Sequence, residues 1–306
     1  MTSTTTVLLC TYNGENHLNQ QLDSILNQSI DNINVLASDD GSSDNTLAIL
    51  EKYKLSWTKG YFNILAGPQK GFADNFLSLT CEAKSDSAYF AFCDQDDIWN
   101  KNKLETAIAF LKTKNELPSL YCSRTENIDE SGKELKTTSP LFQKEPSFAN
   151  ALVQSIAGGN TMVFNKKALQ LLQAAGTQKV ISHDWWAYLL ISGAGGSVFY
   201  DPKPQVKYRQ HNKNLIGANV SFLARTKRLK MLTQGTFRDW NTVNINALQN
   251  NRDHINPASK EILDTFITAR RECLFKRLYL FQKSKVHRQT TFGNIALMVA
   301  VFLKKI

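Results

Sequence analysis

The chain has 306 residues, 42% of them apolar and 21% charged, and carries a formal net charge of +9. These proportions exclude a disordered, fibrous or low-complexity protein and leave room for one large α/β domain with an appendage, or for two modest domains. The basicity is local: residues 1–221 hold 20 Lys and Arg against 22 Asp and Glu, whereas residues 222–306 hold 16 against 5.

The opening MTSTTTVLLCTYNG has no basic region and only four consecutive apolar residues, which predicts no signal peptide. VLLC suits a strand covered on both faces, and ENHLNQQLDSILNQ places Leu18, Leu22, Ile25 and Leu26 at helical spacing. INVLAS is a second strand and SDNTLAILEKY a second helix, with Ser43 or Asp44 as its cap. The pattern repeats through YFNILA, FADNFLSL, YFAFC and KNKLETAIAFL. Strands separated by helices of this length imply crossover connections and a doubly wound, mostly parallel sheet.

Past residue 118 the order loosens. SLYCSR, NTMVFN, GSVFYD and VKYRQH read as strands, the last two separated by PKP; KKALQLLQAAG and SHDWWAYLLISG read as helices. From about residue 216 the reading is helical, as in SFLARTKRLKMLTQ and ASKEILDTFITARRECLFKRLYLFQKS. The longest apolar run, IALMVAVFL, is about half of what a spanning helix needs. Two regions follow, a catalytic domain over 1–215 and a basic helical extension over 216–306. Five cysteines without CxxC spacing predict neither a disulfide framework nor a zinc site, and Cys10, Cys93 and Cys122 read as small buried hydrophobes in a reducing cytoplasm.

In an open parallel sheet, ligands bind beyond the carboxyl ends of the strands. Four polar stretches stand there. TYNG reads as a turn and helix cap, and it lacks both the GxGxxG and the GxxxxGK spacing. SDDGSSDNT, with Asp39 and Asp40, reads either as a capped turn or as a carboxylate that accepts the imide N–H of a pyrimidine base, with a neighbour reaching the ribose. In FAFCDQDDIW an apolar strand stops at three carboxylates within four positions. Two like charges about 4 Å apart repel by ~1 kcal/mol in water and ~4 kcal/mol at a protein-like dielectric, so a cation is expected nearby. Asp94 and Asp96 alternate and would face one side, a donor pair suited to a hard divalent cation, Mg²⁺ or Mn²⁺, that neutralises a diphosphate leaving group. Capping of the next helix by Asp97 or Asn100 can coexist with this. In SHDWWAYL, Asp184 lies against aromatic surface that would make it a usable base, and Trp185 and Trp186 are either core or sugar-stacking rings. His211 in YRQHNKNLIG offers a third, nitrogen ligand.

Seven stretches, LLCTYNGENHLNQQLDSILNQ, SDDGSSDNT, KGFADNF, FCDQDDIWNKNKL, GGNTMVFN, HDWW and YRQHNKNLIG, together resemble the family 2 glycosyltransferases, inverting enzymes of the GT-A fold, and within them the rhamnosyltransferase-like branch. The resemblance spans roughly residues 5–215. It implies that Thr11, Tyr12, Asn13, Asp39 and Asp40 hold the nucleoside, with Gly71 and Asn75 near the donor. Asp94 and Asp96 would be the DxD pair, Asp94 also contacting the donor, and His211 a further metal ligand or diphosphate contact. Asp184 matches the general base, and Gly159, Asn160, Trp185 and Trp186 would face the acceptor. The stretch Gly158-Gly159-Asn160 departs from the Cys and Thr that often follow a glycine in this family, and His-Asp replaces the commoner Glu-Asp.

The implied reaction transfers a sugar, with L-rhamnose from dTDP-rhamnose favoured, to a glycan that is expected to be lipid-linked, in bacterial surface polysaccharide or O-antigen synthesis. A UDP-hexose donor is the alternative, since an Asp contact to the imide serves uracil and thymine alike. A sugar nucleotidyltransferase would carry a Gly/Arg/Lys-rich phosphate loop, which LLCTYNGENH is not. A nucleotide-sensing nucleic-acid binder finds no RRM, KH or zinc pattern, so no nucleic-acid partner is expected. The basic extension, with Leu274, Leu278 and Phe281 beside Arg270, Arg271, Lys276 and Arg277, suits peripheral attachment to an anionic membrane at its cytoplasmic face.

Overall fold

The computed structural model describes residues 4–210 and 235–306. Among these described residues nine strands form one sheet in the order β3-β2-β1-β4-β8-β6-β9-β5, with β7 paired to β6. The strands are β1 (Thr5–Thr11), β2 (Ile33–Asp39), β3 (Phe62–Ala66), β4 (Tyr89–Cys93), β5 (Ile98–Trp99), β6 (Ser119–Ile128), β7 (Glu134–Thr138), β8 (Val163–Asn165) and β9 (Ser197–Arg209). Helices α1 (Leu18–Leu26), α2 (Thr46–Ser56), α3 (Phe72–Glu82), α4 (Lys103–Leu111), α5 (Phe148–Ala151), α6 (Lys166–Ala175) and α7 (His183–Gly193) accompany it. Four more follow: α8 (Thr236–Asn250), α9 (Pro257–Arg271), α10 (Leu274–Lys283) and α11 (Thr291–Phe302).

The α/β architecture agrees with the sequence expectation, and the sheet proves mixed. β3, β2, β1 and β4 are mutually parallel, whereas β8 runs antiparallel to both β4 and β6. Alternation along the buried strands feeds two cores. Val7, Leu9, Val35 and Ala91 meet Leu18 and Leu22 of α1 and Leu104 of α4 on one side. Leu8, Leu36, Phe90 and Phe92 meet Phe76 of α3, Leu169 of α6 and the body of α7 on the other. This second core continues without interruption to Leu263 and Phe266 of α9 and Leu297 and Val301 of α11.

Two expectations change in detail. GSVFYD and VKYRQH are one strand, because PKP is accommodated as an irregularity: Asp201 lies opposite Ser123, and the next residue on β6, Arg124, lies opposite Pro204. A proline that cannot donate to the ladder is tolerated at such a bulge. The long helix read from residue 258 divides into α9 and α10, since Glu272 and Cys273 are both extended, with ψ of 165°. The stretch SFLARTKRLKMLTQ and His211 lie outside the described residues. Cys10, Cys93 and Cys122 are buried as expected, and burial pushes their thiols up.

The chain runs outward through β1, β2 and β3, then returns to place β4 on the other side of β1. The sheet therefore reverses between β1 and β4, and their carboxyl ends, with Leu9 opposite Cys93, open the crevice in which such folds bind ligands.

Since Phe266 is fully buried in the core shared by sheet and C-terminal helices, Phe266→Ala should lower the stability of the whole chain by about 3–5 kcal/mol. Denaturant unfolding followed by tryptophan fluorescence and by far-UV circular dichroism should shift together; a loss confined to part of the helical signal would show that the two regions unfold separately.

Candidate active site

The loops after β1, β2 and β3 are tied to one another through carboxylates. Asp39 Oδ1 accepts from the Thr11 hydroxyl at 2.9 Å and the Ser42 hydroxyl at 2.6 Å, and Oδ2 accepts from the Ser42 amide at 2.8 Å. Asp40 accepts the amides of Gln69 at 2.6 Å and Gly71 at 2.9 Å, fastening the entry of α3 to the end of β2. Asn75, also buried, accepts the Ser38 hydroxyl at 2.5 Å and donates to the Ser38 carbonyl at 3.2 Å. Asn13 adopts a φ of 48°, which Asn tolerates better than most residues, and its Oδ1 accepts the Ser43 amide at 2.9 Å. Thr11, Asn13, Asp39, Asp40, Gly71 and Asn75 thus form one connected wall, while Tyr12 projects into solvent with 58% exposure.

Strict alternation after β4 would turn Gln95 to the side opposite Asp94 and Asp96. Instead its side chain clamps the Tyr12 backbone, accepting from the amide at 2.8 Å and donating to the carbonyl at 3.0 Å. Gly14 makes that possible: a Cβ there would stand 2.2 Å from Gln95 Oε1. The strand ends at Cys93, so strict alternation does not extend to Asp94 through Asp97.

Of Asp94, Asp96 and Asp97, the last is the buried one, 1% exposed. The Asn160 side-chain amide donates to its Oδ2, and the Arg209 backbone amide donates to Oδ1 at 3.0 Å. Desolvation and the neighbouring Asp96 push it up to about 7. Lys103, fully buried, donates to the Asn160 carbonyl at 2.7 Å and stands 3.1 Å from the centre of the Trp99 ring. Desolvation lowers it to about 7, against the pull of Asp97 and Asp94. The Arg209 guanidinium serves the loop backbone, donating to the Asp96 carbonyl at 2.8 Å and the Glu130 carbonyl at 2.8 Å. Asp97 is therefore held inside the fold by Asn160 and the Arg209 backbone and does not cap α4, whose N-cap is Asn102. No motif marks Lys103 or Arg209, because an isolated basic residue in a polar stretch carries no sequence signature of burial.

Asp94 lies partly exposed at the crevice, and its carboxyl is held well above the usual range by desolvation and by the charges of Asp97, Asp96 and Asp184. Asp184 follows His183, whose ring packs edge-on to Phe92 of β4 with centres 4.9 Å apart. Asp184 sits in the first turn of α7, where the Ser182 hydroxyl and the Trp185 amide, the latter at 2.6 Å, both donate to Oδ1.

The expected acceptor residues are differently placed. Trp185 is 5% exposed and donates its indole N–H to the Ala151 carbonyl at 2.7 Å, and Trp186 is fully buried. Their rings pack the core, which corrects the expectation that they stack on a sugar. Asn160 is committed to Asp97 and Lys103. Gly159 lies against His183, since a Cβ at that position would meet His183 Nε2 at 2.2 Å. His183 stacks on Phe76 with ring centres 3.8 Å apart, and neither ring nitrogen has a hydrogen-bond partner among the described residues.

Two carboxylates crowded by further acids are a donor set that a hard cation fits, and Mg²⁺ is commonly held by one or two carboxylates together with substrate phosphates. Among the described residues no cluster of three or more His, Cys, Asp or Glu is arranged to enclose a metal. Asp94 and Asp96 are the two carboxylates that could hold one.

Residues 6–172 match the model of glycosyl transferase family 2. The chain is 33% identical over 270 residues to a dTDP-rhamnosyl transferase, RfbG, of Shigella flexneri, covering 85% of this chain and 91% of that protein. S. aureus TarS, as a fragment solved with UDP-GlcNAc, superposes with a TM-score of 0.54 at 16% identity, covering 92% of this chain and 89% of that one. The mannosyltransferase PcManGT from Pyrobaculum calidifontis, solved with GDP-Man and Mn²⁺, gives 0.54 at 14% identity over 100% and 86% of the two chains. At these identities the two structures establish a common GT-A-like fold.

His183 supplies a pH test. Burial lowers it from 6.5 to about 4, so the folded state binds fewer protons than the unfolded one between those values. The stability it confers is complete above pH 6.5 and is lost as pH falls toward 4, by roughly 3 kcal/mol. Chemical denaturation across that range should show a flatter acid limb in His183→Phe than in the parent; identical slopes would refute the assignment.

Proposed function

The chain belongs to glycosyl transferase family 2, and from its site we propose that it transfers L-rhamnose from dTDP-rhamnose, with inversion, to a hydroxyl of a lipid-linked glycan in bacterial surface polysaccharide synthesis. The observation that supports this reading is that Asp184 follows His183, whose ring packs 4.9 Å from that of Phe92 in β4, the strand that Asp94 and Asp96 directly follow.

The donor nucleoside would occupy the wall built from Thr11, Tyr12, Asn13, Asp39 and Asp40, whose carboxylates are already oriented by backbone and hydroxyl donors. A divalent cation, Mg²⁺ or Mn²⁺, would be held by Asp94 and Asp96, with His211 as a further ligand, and would supply positive charge against the departing diphosphate. Asp184 would accept the proton of the acceptor hydroxyl. The acceptor oxygen then bonds to the anomeric carbon from the face opposite the leaving group, while the bond from that carbon to the phosphate oxygen breaks and releases nucleoside diphosphate. One base suffices, because the second carboxylate of a hydrolase has no part in a single displacement onto an acceptor. The two donors on Asp184 Oδ1 would leave Oδ2 for this task.

The dTDP-rhamnose donor is supported by the name of the Shigella flexneri relative. Among the described residues no helix is long and apolar enough to cross a membrane, and we place the enzyme at the cytoplasmic face of the cell membrane, where a lipid-linked acceptor would be met.

Asp184→Asn should lower kcat by about 10²–10⁴-fold, the usual contribution of a general base, with donor affinity little changed. Asp96→Ala should weaken donor binding and turnover together, and chelation of divalent cations should abolish transfer. Measuring nucleoside diphosphate release against a panel of dTDP- and UDP-sugars checks all three. Full transfer by a folded Asp184→Asn would overturn the base assignment, and pyrophosphate as product would point to a nucleotidyltransferase.

A further inference from the structure

α11 is apolar on both sides. From Thr291 to Leu303 there is no charged residue. Leu297, Ala300 and Val301 face the core. On the opposite side Phe292 is 78% exposed, Ile295 58%, Met298 45%, Val299 46%, Phe302 58% and Leu303 49%. At about 100° per residue these six side chains cover an arc of roughly 140°. A helix apolar all round is ordinarily surrounded by protein or lipid. α10, which packs against α11, adds Phe275 at 83% exposure and Tyr279 at 65%, one turn apart.

This face differs from the one expected from the sequence. Phe281 and Arg277 are buried, and the Arg277 guanidinium donates to the carbonyls of Val301 at 3.0 Å and Glu272 at 2.9 Å. Arg270 likewise donates to the Ile306 carbonyl at 3.0 Å. Those arginines hold the helices together and leave contact with an external partner to α11 and the outer side of α10.

Charge identifies that partner. Residues 273–306 contain seven Lys and Arg and no Asp or Glu, and Lys276, Lys283, Lys285 and Lys304 are exposed. A second copy of the chain would bring the same positive residues to a self-complementary interface, where like charges oppose association. An anionic lipid surface attracts them and offers the acyl boundary to the apolar stripe. Twelve residues of helix are too short to span a bilayer and suit a helix lying along its surface.

We propose that α11, with Phe275 and Tyr279 of α10, is a docking surface for an anionic bilayer, the stripe from Phe292 to Leu303 entering the headgroup boundary and the surrounding lysines meeting lipid phosphates. The surface rests on the transferase reading only for its purpose, which is to bring the crevice to a lipid-linked acceptor.

Flotation of the full chain, without donor, on vesicles of phosphatidylglycerol with phosphatidylcholine and on phosphatidylcholine alone tests it. The protein should float with the anionic vesicles and lose that binding as salt rises. Phe292→Gln/Ile295→Gln/Phe302→Gln should reduce partitioning about tenfold or more, given the transfer free energy of such side chains, with an unchanged melting temperature. Lys283→Gln/Lys304→Gln should weaken the preference for anionic lipid and flatten its salt dependence. Failure of the parent to float at low salt, or equal flotation of the triple variant, would overturn the surface. So would a lipid-free dimer, seen by light scattering, that the triple variant dissociates. Calorimetric binding of dTDP to the same proteins separates the two readings: lost flotation with dTDP binding intact refutes the surface alone, and flotation without dTDP binding refutes the donor assignment alone.

Discussion

Like-charge crowding at the end of β4 is the constraint around which this structure is organised. Desolvation and the charges of Asp97, Asp96 and Asp184 hold Asp94, at the point where the sheet reverses, well above the usual carboxylate range. The fold relieves part of this internally. Asp97 is enclosed by the Asn160 amide and the Arg209 backbone, with the buried Lys103 nearby. Removing one partner of such a buried set leaves an uncompensated charge and is more costly than replacing the set. The relief stops at Asp97, and Asp94 stays crowded by like charges on the side from which a donor diphosphate would enter.

The nucleoside side is built on a different principle. Asp39, Asp40 and Asn75 receive their hydrogen bonds chiefly from backbone amides and hydroxyls of neighbouring loops, so three loop conformations become interdependent. Such a wall is fixed before a ligand arrives, which reduces the ordering that binding must impose. Gln95 extends the same logic by locking the Tyr12 backbone to the acidic stretch.

The sequence made the alternating elements legible because apolar runs of strand length and helical spacings of Leu and Phe are local signals. It also marked the polar residues after β1, β2 and β4, where the parallel topology concentrates function. Long-range pairing lay beyond it. Antiparallel β8 between β4 and β6, the continuity of β9 through two prolines, and the burial of Lys103 and Arg209 depend on partners 40 to 190 residues away, roughly, and leave no periodicity behind. Trp185 and Trp186 were ambiguous for a physical reason: an aromatic ring fills a core as readily as it stacks on a sugar. The apolar run in α11 was visible in the sequence, but which half of it faces the protein was not.

The claim that the crevice carboxylates await a metal-bound diphosphate can be tested through protons. A group whose carboxyl is raised must lose its proton to bind a cation, so ligation is accompanied by proton release. Calorimetry of Mn²⁺ binding to the dTDP-bound protein, repeated in buffers of different ionisation enthalpy near neutral pH, measures that release. The account predicts net proton release that Asp94→Asn removes; Mn²⁺ binding with no proton release, or release unchanged by that substitution, would contradict it.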